Sequence, residues 1–177
     1  MGSISKEAVW YTAYTKPRSE KTVAAQLKKL GIEHYLPLTT EYRQWSDRKK
    51  KMEVPLFNSY IFVHADALSY YTALNIPGIV RFIHFGGQAA VLSDKAIEEV
   101  RQIVSSGYAV SEHTEFFSEG EEIIIMSGPL RGFEGIMLRN KGQTSVIIQV
   151  DGLMQTIKAE VPAACLRRKN IKLKQTA

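Results

Sequence analysis

Few side chains in this 177-residue chain are suited to proton transfer or metal binding. His34, His64, His84 and His113 stand far apart, none at metal-ligand spacing to another histidine or to the single cysteine, Cys165. No serine sits in a nucleophile-elbow pattern, no glycine loop runs into Lys-Ser or Lys-Thr, and there is no dinucleotide fingerprint. The glycines of Gly128–Gly135 fall between two expected strands, so they do not open a helix whose N-terminus would hold phosphate. Acidic residues between 112 and 122 read as a solvated stretch. The chain is therefore expected to be no enzyme and to need neither metal nor cofactor.

Binding chemistry is better represented. Lys16, Arg18 and Lys21 surround the start of the first expected helix. Cations there oppose the helix dipole, which suits an anionic partner. Arg43 and the run Arg48-Lys49-Lys50-Lys51 form a second cationic group on an expected hairpin. For both groups the alternative is ordinary solvated charge. Tyr11, Phe57, Tyr60, Phe62, Phe82 and Phe85 supply aromatic surface, either as core or as a face for a partner helix. Strand alternation puts Tyr60 and Phe62 on one face and Ile61 and Val63 on the other.

The elements that position these residues follow from periodicity and punctuation. Ala8–Tyr14 is rich in β-branched and aromatic residues and reads as a strand. Ser19 is an N-cap, Val23, Ala24, Leu27 and Leu30 recur at helical spacing, and Gly31 stops the helix. Strands are expected at His34–Leu38, Tyr60–Ala65 and Ile79–Phe85, with hairpin arms Glu41–Trp45 and Lys51–Leu56. Leu68–Asn75 reads as a short helix or loop. Ser93 caps a further helix over Asp94–Val104 with Ile97, Val100, Ile103 and Val104 on one face. Ser105–Ser118 lacks periodicity and is expected to be an interdomain linker. After it come strands at Ile123–Met126, Phe133–Arg139, Thr144–Val150, Leu153–Ala159 and Val161–Leu166, with Asp151-Gly152 as a two-residue hairpin of the I′ type. Five short strands suggest a small barrel. The resulting division is 1–104, a linker 105–118, 119–168 and a basic tail 169–177.

Composition sets the outer bounds. Apolar runs such as Ile123–Met126 are too short to span a bilayer, and Met1–Tyr14 lacks a signal-peptide pattern. One cysteine permits no internal disulfide, which fits a reducing, cytoplasmic setting. The net charge of +5 is uneven: 11 Lys/Arg against 6 Asp/Glu over 1–60, 3 against 9 over 61–127, and 9 against 3 over 128–177. Basic ends around an acidic middle suggest polyanion contact at the ends, or solvated surface charge.

Two stretches carry a resemblance. The first comprises Trp10-Tyr11, Pro17-Arg18-Ser19-Glu20-Lys21, Trp45-Ser46-Asp47-Arg48, Pro55–Val63 and Pro77–Phe82; the second comprises Glu119-Gly120, Gly128–Gly135 and the hairpin after it. In this order they resemble the NusG family of transcription elongation factors. Trp45–Lys50 and Phe82–Gly87 are similar to the operon-specific antiterminators, the RfaH-like and UpxY-like paralogues. One departure is Asn58-Ser59, where the family usually has Pro-Gly or Pro-Asn.

The resemblance implies an α+β protein. An N-terminal NusG-type α/β sandwich on an antiparallel sheet would be joined by a flexible linker to a small five-stranded KOW (SH3-like) β-barrel. It implies a monomeric factor, without membrane contact, that suppresses pausing and termination by RNA polymerase on a specific operon such as a polysaccharide locus. Tyr11, Phe57, Tyr60, Phe62, Phe82 and Phe85 would meet the clamp helices of the largest polymerase subunit, Tyr60 and Phe62 above the others. Thr72 would fall at the polymerase gate loop, with a plain surface loop as the alternative. Lys16, Arg18, Lys21, Arg43, Arg48, Lys49, Lys50 and Lys51 would contact non-template or upstream DNA. Gly128, Leu130, Arg131, Gly132 and Phe133 would form the KOW turn, whose domain would recruit ribosomal protein S10 or the termination factor Rho. The competing expectation is a KOW-type RNA-binding protein associated with ribosomes or RNA processing, which fits the basic tail.

Overall fold

The structure, a computed structural model, describes residues 4–44, 49–113, 120–140 and 143–169. Its first sheet is built around β1 (Val9–Thr15), which pairs antiparallel with β5 (Tyr60–Ala65), β6 (Ile79–Phe82) and β9 (Val91–Leu92). β2 (His34–Tyr35) extends the sheet beyond β5. Alternation along β5 divides the core as expected. Ile61 and Val63 join Tyr11 and Ala13 beneath α1 (Glu20–Lys29) and α2 (Ala67–Leu74), through Val23, Leu27, Tyr70 and Ala73. Phe62 and Trp10 point the other way, toward α3 (Asp94–Ser105) and its Ala96, Ile97, Val100 and Ile103. Each fully buried large side chain here contributes about 1.5–3 kcal/mol of transfer free energy.

The caps behave unequally. Ser93 accepts from Ala96 N–H at 3.1 Å, and Asp66 accepts from Ser69 N–H at 2.8 Å. Ser19 occupies the N-cap position of α1 but its hydroxyl makes no cap bond. Gly31 does close α1, in the left-handed region at φ 69°.

A two-stranded hairpin stands apart from the sheet: β3 (Leu38–Gln44) against β4 (Lys49–Pro55), in continuous register from Leu38↔Pro55 to Gln44↔Lys49. Its strands begin earlier and end differently from the expected arms. The expected strand Ile79–Phe85 is divided, with β7 (His84–Phe85) leaving the sheet to pair with β8 (Gln88–Ala89).

The second sheet runs β10 (Val110–His113), β14 (Thr156–Glu160), β13 (Gln143–Gln149), β12 (Glu134–Asn140), β11 (Glu121–Ile125) and β15 (Leu166–Arg168), all antiparallel. It therefore has six strands among the described residues, where five are expected. The extra one, β10, comes from the segment expected to be linker: Val110–His113 pairs with Ala159–Thr156, and α3 runs on through Ser105. The pairing wins because Val110 is apolar and reaches a core that already holds Ile157 and Ala159. Residues 114–119 lie outside the described ones.

Asp151-Gly152 does turn the chain, with Gly152 at φ 79°, but no two-residue I′ hairpin forms. Six residues separate β13 from β14, because Val150 and Leu153 are both buried and hold the loop down. A 3-10 turn at Ala163–Cys165 likewise delays the last strand to Leu166.

Candidate functional site

The aromatic residues do not form one surface. Tyr11 and Phe82 lie in the core under α1 and α2, where their rings meet edge to face at 5.8 Å and Tyr70 stacks on Phe82 at 4.1 Å. Phe57 and Phe62 are fully buried on the opposite side of the sheet, edge to face at 6.1 Å. Only Tyr60 and Phe85 of the six reach the surface, half-buried and 51% exposed respectively. The alternation of β5 explains the split: Tyr60 shares the face of Phe62, but it sits at the strand's beginning, beyond the cover of α3.

Tyr60 and Phe85 line a narrow crevice together with Thr12 and the Gly152–Gln155 loop of the second sheet. The two halves of the chain thus meet at this place. Gly152 lies so near β9 that a Cβ on it would stand 3.1 Å from Leu92 Cδ2. The contact continues polar. Asn58 donates to Glu112 Oε2 from its backbone N–H at 3.4 Å and from Nδ2 at 3.2 Å, and Thr39 Oγ1 donates to the Val110 carbonyl at 2.9 Å. On α3, Gln102 Nε2 donates to the Pro129 carbonyl at 2.9 Å. Burial, with Tyr14 and the Glu112 carboxylate nearby, raises the Tyr60 hydroxyl above its ordinary pKa. Arg81 lies 5.8 Å from the Tyr14 ring centre, and that ring meets Tyr60 edge to face at 5.4 Å.

The Asn58-Ser59 turn has an unusual backbone. Ser59 adopts φ 64°, a conformation more often given to Gly or Asn. Its N–H donates to the buried Glu20 carboxylate at 2.8 Å, and its carbonyl accepts from Thr15 N–H at 2.8 Å. These bonds fix the turn and place Asn58 against Glu112.

Lys16 and Arg18 are exposed in the loop before α1, and Arg18 has φ 63°. Lys21 is exposed but engaged: its Nζ donates to the Glu53 carbonyl at 2.7 Å, joining α1 to the base of the β3–β4 hairpin. Lys50 and Lys51 are exposed on β4, Arg43 and Lys49 hold register positions opposite Lys50 and Gln44, and Arg48 lies outside the described residues. Thr72 is exposed on α2, its hydroxyl spent on the Leu68 carbonyl at 2.8 Å.

In the second sheet, Gly128 and Gly132 take φ 87° and 92°, and the turn closes through Gly132 N–H to the Ile125 carbonyl at 2.8 Å. Leu130 is fully buried, Phe133 half-buried and Arg131 exposed. The turn faces α3 and the segment after it: a Cβ on Gly128 would lie 2.7 Å from Oη of Tyr108, beyond the helix end, and a cleft of about 600 Å³ lined by Arg131, Phe133 and the α3 residues Lys95 and Glu98 separates the rest. Among the described residues no three His, Cys, Asp or Glu side chains converge on a metal-sized site, and no helix is long and apolar enough to cross a membrane.

Sequence reasoning missed Glu112, Gln102 and Gly152 as contacts between the halves. Tyr108 and Val110, apolar at strand spacing before the acidic run, are the only local sign that the segment around Glu112 has an inward face.

The sequence model described as "Transcription termination factor nusG" matches residues 8–101 of this chain. Among solved structures, the chain is similar to "Domain interaction in Thermotoga maritima NusG", with 18% identity, 92% of this chain and 97% of that chain covered, and a TM-score of 0.55, which shows a shared fold. It also matches "Crystal Structure of MjSpt4:Spt5 complex conformation A" at 14% identity, covering 90% of this chain and 97% of that one, with a TM-score of 0.30.

Proposed function

The chain belongs to the NusG family of non-enzymatic transcription factors, and from that premise we propose that it is a specialised elongation and antitermination factor of the RfaH-like or UpxY-like kind. It acts in the cytoplasm on bacterial RNA polymerase, on one operon such as a polysaccharide locus. Tyr60 and Phe85 are its contacts to the clamp helices of the largest subunit. Phe62, Phe57, Tyr11 and Phe82, all buried, shape and stiffen the strands that carry those contacts. Thr72 on exposed α2 meets the gate loop. Lys16, Arg18 and the hairpin cations face non-template or upstream DNA, and the C-terminal sheet is a KOW domain that recruits ribosomal protein S10 or Rho.

The observation that carries this reading is the crevice at Tyr60 and Phe85, already occupied on one side by the chain's own Gly152–Gln155 loop. An aromatic surface that accepts one apolar segment can accept another. A clamp helix at Tyr60 then competes with the C-terminal half, and the factor favours elongating polymerase in proportion to its differential affinity for that state. The RNA-binding alternative rests on the basic tail, of which residues 170–177 lie outside the described ones; of the basic residues just before them, Arg168 pairs with Glu121 at 2.8 Å and Lys169 with Glu134.

Binding of the full chain to an isolated clamp-helix fragment tests the proposal, with Tyr60→Ala, Phe85→Ala and Asn58→Ala as variants. Wild type binds saturably; the aromatic substitutions weaken binding about tenfold, about 1.4 kcal/mol, and Asn58→Ala strengthens it by removing the bonds to Glu112 of β10 that hold the C-terminal half against the first. No binding by folded wild type and folded Asn58→Ala overturns the polymerase reading and brings RNA binding forward.

A further inference from the structure

We propose that β10 is a strand only while the two halves of the chain are docked. The first half holds it against β14 through Asn58 and Thr39, and when the halves part it leaves the sheet and joins the tether between them. The proposal concerns the contact between the halves and does not depend on the polymerase reading.

β10 divides its bonds by alternation. Glu160 N–H donates to the Ala109 carbonyl at 2.9 Å. In an antiparallel ladder every second opposite pair is then bonded, which makes Ser111–Lys158 and His113–Thr156 the pairs that tie β10 to β14. Val110 and Glu112 lie between them, and both are bonded to the first half instead. The Val110 carbonyl accepts from Thr39 Oγ1 at 2.9 Å. The Glu112 carboxylate accepts from the Asn58 backbone N–H at 3.4 Å and from its Nδ2 at 3.2 Å.

The inner face of the second sheet shows why the hold matters. Register lines its side chains up in rows across β13, β14 and β10. One row is Val146, Ala159 and Val110, all buried. The next begins with Ile148 and Ile157, both buried, and ends on Glu112, which is half-buried. A carboxylate therefore stands where the row calls for an apolar residue. Its bonds to Asn58 compensate it there. Without them a charge would lie beside Ile157 with those bonds unmade, and desolvation of a charge is costly. Val110 is the one buried residue of the four in β10, so little apolar burial opposes release. Packing within the sheet gives no reason for Glu112, whereas docking gives one. Release leaves β14 with unpaired N–H and C=O groups along its edge, the kind of edge to which an extended segment of another chain adds.

The test is hydrogen exchange of the full-length chain, read at the Ser111 and His113 amides and, as a reference, at Ile136 of β12 and Ile147 of β13. Wild type is compared with Asn58→Asp, which sets a like charge against Glu112, with Glu112→Val, and with the double variant. Asn58→Asp is expected to speed exchange at Ser111 and His113 about tenfold, the scale of one charge-assisted bond, and to leave the reference amides unchanged. Glu112→Val removes the same bonds but completes the apolar row, so Ser111 and His113 stay at or below their wild-type rates, alone and in the double variant. Three results overturn the proposal: wild-type rates at Ser111 and His113 in Asn58→Asp, equal acceleration at the reference amides, or acceleration in Glu112→Val as large as in Asn58→Asp.

Discussion

Tyr35 shows how one side chain reports on the packing around it. Its ring stacks on Phe62 with centres 6.2 Å apart, and the Arg101 guanidinium of α3 lies 4.7 Å from the ring centre. Burial raises its hydroxyl from 10.0 to about 12, against the pull of Arg101 and with a small push from Glu98. The folded pKa exceeds the unfolded one, so Tyr35 contributes stability that is complete below pH 10.0 and is lost as pH rises toward about 12. Urea unfolding across that range is expected to show a falling midpoint, shallower in Tyr35→Phe; equal slopes would mean that the hydroxyl is not desolvated. Phe62 repays similar care: it is fully buried, so truncating it costs about 3–5 kcal/mol of stability and disturbs any binding measurement through the fold. The Asn58-Ser59 departure from the family pattern is also a residue-scale matter. The turn persists because Ser59 accepts φ 64° while Glu20 and Thr15 hold both its backbone groups.

At the scale of elements, β10 is the piece on which the arrangement of the two halves turns. It belongs by pairing to the second sheet, yet it bonds to the first half at Thr39 and Asn58. Glu112 sits midway along it, within reach of Asn58. A charge-assisted pair that is partly solvated is worth about 0.5–1.5 kcal/mol. A double-mutant cycle with Asn58→Ala and Glu112→Gln, read by chemical denaturation, is expected to give a coupling energy of that size; strict additivity would mean that the two side chains do not hold the halves together. The same strand explains why the linker expectation failed. Its polar residues Ser111 and Glu112 follow the solvent-facing and partner-facing sides of an edge strand, and in sequence such a strand looks like loop. The β3–β4 hairpin was legible by contrast, since its cations bracket a turn.

For the whole molecule the decisive fact is that one apolar cluster runs from Trp10 and Phe62 through Ile97, Val100 and Ile103 to Val110, Ile123 and Ile157. Two sheets that share a core should unfold together. Calorimetry is expected to show a single transition for the full chain, and two resolved transitions would mean that the halves are energetically independent. Most strands and all three helices, the two-faced character of β5, the helix cap at Ser93, the glycine-closed turn at Gly128–Gly132 and the family are legible in the residues alone, because these depend on neighbours within a few residues or on motifs in order. Long-range packing, by contrast, sets Tyr11 and Phe82 across the sheet from Phe62, has Leu153 hold down the loop after Asp151-Gly152, and lays this loop against Tyr60 and Phe85. Those outcomes depend on which apolar face finds which partner across 50 or more residues of chain. Local propensity cannot encode that choice, since a buried aromatic and an exposed one are the same residue until the fold covers one of them.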